Sequence, residues 1–196
     1  MKSIQQKLKI QPLKPARWSD FEELFGKKGA CAGCWCMWWR LPAAQWRAQK
    51  GNGNRKAMRS LVQAKKIPGL LAYVDGKAIG WCAVGPRVDF VRFSKSRVLK
   101  PVDENPVWSV TCFFVAREYR RQGVTIALLK AAVEFARKRG AEILEGYPTD
   151  PKHDQPDVFV FTGLASAYQK AGFKEVARRS LARPIFRRHL ATATKK

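Results

Sequence analysis

Acidic side chains are scarce in this 196-residue chain: 15 Asp and Glu stand against 38 Lys and Arg, a formal net charge of +23. None occurs between Leu24 and Val74, and none from Val176 to the C-terminus. A field of one sign attracts polyanions and steers anionic ligands, so an acidic substrate or nucleic acid is an admissible partner. The basic residues are scattered singly rather than gathered into a recognition motif, so nucleic-acid association is the alternative reading and plain solubility the blander one. Long apolar runs are also missing. No stretch approaches the roughly 18 residues of a membrane span, and no membrane partner is expected. The basic N-terminus MKSIQQKLKIQPLK has no continuous apolar segment, which argues against a secretory signal. In an unsecreted chain the five cysteines read as reduced thiols in a cytoplasmic setting.

No repeat or linker interrupts the sequence, and its length suits one domain over 1–190 with a substantial core. Within it, 14–67 is helix-rich, 68–190 carries the strands, and 191–196 reads as a frayed tail. Alternation over Leu8–Leu13 predicts a first strand. Trp18–Phe25 predicts a short helix capped by Ser19 or Asp20, Ala43–Lys50 a second behind Pro42, and Arg55–Lys66 a third capped by Asn54. Leu70–Val74 and Ala78–Val84 flank Asp75-Gly76, a strong hairpin signal. Pro86–Pro106 reads as loop with some helix, and Trp108–Val115 as a buried strand. A helix follows with Val124, Ala127, Leu128, Ala131 and Phe135 on one stripe, ended by Gly140. Glu142–Tyr147, Phe173–Ala177 and Ile185–His189 are further strands, with a short helix Leu164–Ala171 between the first two. The sum is an α/β fold with a mixed, mainly antiparallel sheet.

Cys31, Cys34 and Cys36 form C-x-x-C-x-C, three soft ligands in a spacing that suits zinc. A fourth ligand at matching spacing is missing, so no metal is expected. The tryptophans around them, Trp35, Trp38, Trp39 and Trp46, read either as an aromatic wall for a ligand or as core packing.

The most informative stretch is Val110–Gly140. An apolar strand runs into Arg120-Arg121-Gln122-Gly123-Val124-Thr125 and then into an amphipathic helix. Unpaired N–H groups at a helix start, with nearby arginines and a glycine that permits close approach, make an anion cradle. This hexapeptide resembles the pyrophosphate loop of the GNAT superfamily of N-acetyltransferases, written Q/R-x-x-G-x-G/A, with Thr125 departing from the small last position. Tyr168-Gln169-Lys170-Ala171-Gly172-Phe173 resembles the superfamily's Y-x-K-x-G-F signature. The likeness covers about residues 68–190.

That resemblance implies acetyl-CoA as co-substrate and transfer of its acetyl group to an amine by direct attack in a ternary complex. It places Arg120, Arg121, Gln122, Gly123, Val124 and Thr125 on the pyrophosphate. It puts a bulge in Trp108–Val115, whose backbone at Phe113, Phe114 and Val115 orients the acyl arm. It makes Tyr168 the acid for the departing thiolate. Glu145 is the candidate base, with pairing to an arginine as its other reading. Asp150, Asp154 and Asp157 are candidate contacts for the acceptor's ammonium group, and His153 a further titrating group. Trp35, Trp38 and Trp39 on the N-terminal segment would cover the acceptor. The acceptor itself, the acyl length and the oligomeric state are not encoded in any motif. A coenzyme A-binding regulator on the same scaffold is the other alternative.

Overall fold

The computed structural model describes residues 7–153 and 155–190, so the expected tail, Asp154 and the first six residues lie outside the described residues. Among the described residues seven strands form one sheet in the order β1-β2-β3-β4-β5-β7-β6. They are β1 Lys9–Pro12, β2 Gly69–Val74, β3 Lys77–Pro86, β4 Trp108–Val115, β5 Ile143–Gly146, β6 Lys174–Arg178 and β7 Pro184–His189. All pairings are antiparallel except β4–β5. A parallel neighbour needs a crossover, which is helix α4, Val124–Arg137. The expected mixed, mainly antiparallel α/β fold is therefore present.

The β2–β3 hairpin turns on Asp75 (φ 49°) and Gly76 (φ 83°), the paired left-handed residues of a tight turn matched to strand twist. Helix α4 buries Val124, Leu128, Leu129, Ala132, Val133 and Ala136 against the sheet. The expected stripe is corrected here. Val124 and Leu128 of that stripe are buried, whereas Ala127, Ala131 and Phe135 are half-buried, Ala131 and Phe135 packing on the edge of the core with Phe135 against Trp108 (centroids 6.0 Å apart).

The opposite face of β2–β4 is covered by the N-terminal helices α1 (Trp18–Phe25), α2 (Ala43–Ala48) and α3 (Asn52–Gln63). Two expected caps differ. Helix α1 begins at Trp18, directly after a 3-10 turn at Pro15–Arg17, and Asp20 instead accepts a hydrogen bond from Tyr73 Oη at 2.7 Å. Helix α3 begins at Asn52. Asn54 lies inside it, fully buried, and its amide donates to the Gly33 carbonyl at 3.0 Å. A short amide side chain suits either a cap or a loop tether, and burial selected the tether. Among the described residues no helix is long and apolar enough to cross a membrane.

Candidate active site

Strands β4 and β5 pair over only Trp108↔Leu144, Ser109↔Glu145 and Val110↔Gly146, then part. On the other edge of β4, Ala83 pairs with Cys112 but Val84 with Val110, so Thr111 is an extra residue. That is a β-bulge, and it re-aims the backbone beyond it. Its trace in the sequence is a change of phase. Trp108 and Val110 pack on the α4 side before it, and Phe113 and Val115 after it. The Phe113 N–H donates to the Phe161 carbonyl at 2.6 Å, outside any strand ladder. The Phe114 side chain points to the other face and packs on Phe25 (centroids 5.5 Å apart).

At the C-terminal end of β4 the chain makes a 3-10 turn at Arg117–Tyr119 and reaches the basic loop. Arg121 (φ 59°) and Gly123 (φ 81°) are both left-handed, which wraps the loop back onto the start of α4. Gly123 is the N-cap of α4 and no side chain caps the helix. The first N–H groups of a helix have no partner within it, so Val124 and Thr125 present open donors backed by the helix dipole. Arg120 is fixed by Nε donating to the Val115 carbonyl at 2.9 Å, while its Nη1 meets Asp157 Oδ2 at 2.6 Å. Gln122 turns its amide back to the Glu118 carbonyl at 2.8 Å. The Val124 side chain is core, close enough to the backbone of β3 that a Cβ on Gly80 would stand 3.0 Å from its Cγ1.

Tyr168 lies on helix α5, Ala165–Lys170, and is fully buried. Its ring crosses Gly146 so closely that a Cβ there would stand 2.0 Å from Cε1. It meets Phe113 and Phe173 edge-on. Its hydroxyl donates to the Thr162 carbonyl at 3.2 Å, and burial raises the phenol well above its ordinary range, so it stays protonated. The bulged strand, the basic loop and Tyr168 thus meet along the gap between β4 and β5.

Glu145 is fully buried in β5. Its Oε1 accepts from Arg87 Nη1 at 2.8 Å and from Tyr147 Oη at 2.5 Å, and its Oε2 from Arg187 Nε at 2.7 Å. Tyr147 also accepts from Arg87 and lies 2.8 Å from Ser109 Oγ. Arg187 continues to Asp103, whose carboxyl it holds down to about 2. Sequence reasoning found Glu145 but missed Arg87, Tyr147, Ser109 and Arg187. The one local signal was the i, i+2 spacing of Glu145 and Tyr147, which puts both on one face of a strand.

The remaining candidates are dispersed. Trp35 is buried, stacked on Phe25 with centroids 5.8 Å apart, and belongs to the core under α1. Trp38 and Trp39 are half-buried; the Arg92 guanidinium sits 3.8 Å over Trp38, and Trp39 stacks on Phe93. Cys36 Sγ accepts from the buried Trp81 Nε1 at 3.1 Å. Among the described residues no group of three or more His, Cys, Asp or Glu is arranged to hold a metal. Asp150 pairs with Arg178 at 2.8 Å, and His153 is exposed.

Residues 35–155 match the family model described as the acetyltransferase (GNAT) family. Solved structures share the fold at low identity. A PaiA N-acetyltransferase from Thermoplasma acidophilum, in complex with coenzyme A, is 16% identical with a TM-score of 0.52, covering 93% of this chain and 98% of its own. A Salmonella typhimurium protein described as an acetyltransferase, with its cofactor acetyl-CoA, is 13% identical with a TM-score of 0.56, covering 96% and 97%. A GNAT-family acetyltransferase from Streptococcus agalactiae is 12% identical with a TM-score of 0.55, covering 94% and 96%. No curated protein matches the sequence.

Proposed function

Because the chain belongs to the GNAT family of acetyltransferases, we propose that it moves an acetyl group from acetyl-CoA to an amine by direct attack in a ternary complex. The observation that carries this reading is the gap between β4 and β5. Open helix N–H groups, a bulge-directed backbone N–H and a protonated phenol lie along it in sequence. The Thermoplasma and Salmonella neighbours bound to coenzyme A and acetyl-CoA support the same choice of co-substrate.

Acetyl-CoA supplies an activated thioester, and the chain does the rest. Gly123, Val124 and Thr125 offer backbone donors to the pyrophosphate, with Arg120, Arg121 and Gln122 around it. The backbone from Phe113 to Val115 orients the acyl arm, and the Phe113 N–H is aimed where charge develops on the thioester oxygen. The amine nitrogen forms the new bond to the acyl carbon as the carbon–sulfur bond breaks. Tyr168 gives its proton to the departing thiolate, whose ordinary pKa is about 8.5. The proton lost by the amine leaves through water. Glu145 has both oxygens engaged by arginines and a phenol, so we assign it to positioning the β5 wall of the gap rather than to the base role. In this reading Trp38 and Trp39 face the acceptor, while Trp35 is packed in the core under α1.

The test is calorimetric titration with acetyl-CoA of the wild type and of Gly123→Glu. We expect wild-type binding and at least about a tenfold loss in the variant, since a carboxylate then stands in the cradle at a position with φ 81°. Absence of wild-type binding at low salt would overturn the proposal. It would leave the +23 charge and a salt-dependent nucleic-acid role as the reading to pursue.

A further inference from the structure

Three of the donors assigned above to acetyl-CoA, Arg120, the Phe113 N–H and the Tyr168 hydroxyl, are occupied by one short stretch of the chain itself. Asp157 puts its carboxylate on Arg120 Nη1 at 2.6 Å. Four residues on, the Phe161 carbonyl takes the Phe113 N–H at 2.6 Å. The next carbonyl, of Thr162, takes the Tyr168 hydroxyl at 3.2 Å. The order along the chain is an anion at the basic loop, a carbonyl at the bulge and a second carbonyl at the acid. A pyrophosphate, a thioester carbonyl and a sulfur would call on the donors in that same order.

We propose that Asp157–Phe161 is a strap that imitates the cofactor's contacts to Arg120 and to the Phe113 N–H, closes the gap between β4 and β5, and swings away from the fixed Thr162 when acetyl-CoA binds. This rests on the acetyl-CoA reading of the site. The strap's attachment suits such a role. Val158 and Phe159 are 48% and 60% exposed, so little apolar burial holds it, and its pair with Arg120 is itself at the surface. Segments tied down by few buried contacts open at low cost. The end that must stay is anchored. Arg183 Nη1 donates to Thr149 Oγ1 at 3.2 Å and to Thr162 Oγ1 at 3.3 Å, and Thr149 N–H bonds the Gly163 carbonyl at 2.8 Å. Gly163 (φ 84°), wedged against the rings of Tyr168 and Phe113, holds the chain beyond the strap in place. A strap of this kind lowers the apparent affinity by the fraction of molecules that are open, as any competing occupant does.

The experiment compares acetyl-CoA titrations of the wild type and Asp157→Asn, with chymotrypsin cleavage at Phe159 and Phe161 followed with and without acetyl-CoA. We expect the variant to bind about two- to fivefold tighter, the range set by one exposed ion pair. Cleavage should become faster on binding, the reverse of ordinary ligand protection. Equal or weaker binding by the variant, or protection of those bonds, overturns the strap while leaving acetyl-CoA binding intact. Failure of both proteins to bind acetyl-CoA overturns the reading of the site and the strap with it.

Discussion

Glu145 brings together a strand, a loop and a second strand by accepting from three groups, Arg87, Tyr147 and Arg187, and its removal tests what it is for. Taking away one partner of a buried ion pair leaves uncompensated charge, at a cost of about 3–5 kcal/mol. Glu145→Gln should therefore lower the melting temperature by roughly 6–20 °C at this chain length. Turnover per folded molecule should stay within a few-fold. A variant that melts normally but turns over a hundredfold more slowly would instead return the base role to Glu145. The basic loop and Tyr168 with Gly172-Phe173 were legible in the sequence because each is a run of neighbours with one conformational purpose. The partners of Glu145 were not. Arg87 and Arg187 stand 58 and 42 residues from it, and in a chain with 38 cations no spacing singles out two. Asn54 was misread for a related reason, since its amide satisfies a loop 21 residues away.

Elements with a single environment were read closely from sequence, as the Asp75-Gly76 hairpin and β4 show. The bulge at Thr111 was expected in that strand but could not be placed, because a one-residue slip changes which face is buried without changing composition. The stretch Pro86–Pro106 was expected as loop with some helix, and it holds two 3-10 turns, Arg87–Asp89 and Val91–Lys95, over Phe90, Phe93 and Leu99. What sequence did not reveal is how arginines from elsewhere fasten it. Arg179 donates to the Lys100 and Pro101 carbonyls at 2.6 and 2.9 Å, and Arg187 grips Asp103. This attachment titrates. The Asp103 carboxyl is drawn from about 3.9 in the unfolded chain to about 2 by Arg187. A depressed carboxyl stabilises the fold above the unfolded value and loses that contribution as pH falls through the folded one. The melting advantage of wild type over Asp103→Asn should be full at pH 5, mostly lost at pH 2 and gone by about pH 1. A gap unchanged across that range would mean the pair holds nothing.

At the scale of the whole molecule the excess of positive charge is partly absorbed by aromatic rings. Arg40 lies 4.4 Å over Phe90, Arg92 3.8 Å over Trp38, Lys50 4.9 Å over Trp46 and Arg139 3.6 Å over Phe135. A ring face favours a cation, and two of these, Arg40 and Lys50, lie in the acid-free span from Leu24 to Val74, so part of that span's charge is engaged within the fold. The core is divided as well. One cluster lies between α4 and the sheet, a second beneath the N-terminal helices and a third under the 86–106 stretch. The five cysteines are distributed unevenly over this division. Cys31 is exposed; Cys34 is half-buried and raised by burial to about 11; Cys36 and Cys82 are buried; Cys112 is raised by its contact with Cys36 and by burial. A thiol-specific chromogenic reagent at pH 8 should therefore count one sulfur in the native protein and five in denaturant. More than one fast sulfur without denaturant would contradict this packing. The protein thus carries its own stopwatch. Release of Cys34, Cys36 and Cys112 times the lifting of the N-terminal segment, and release of Cys82 the opening of the core on the α4 side, with no label added.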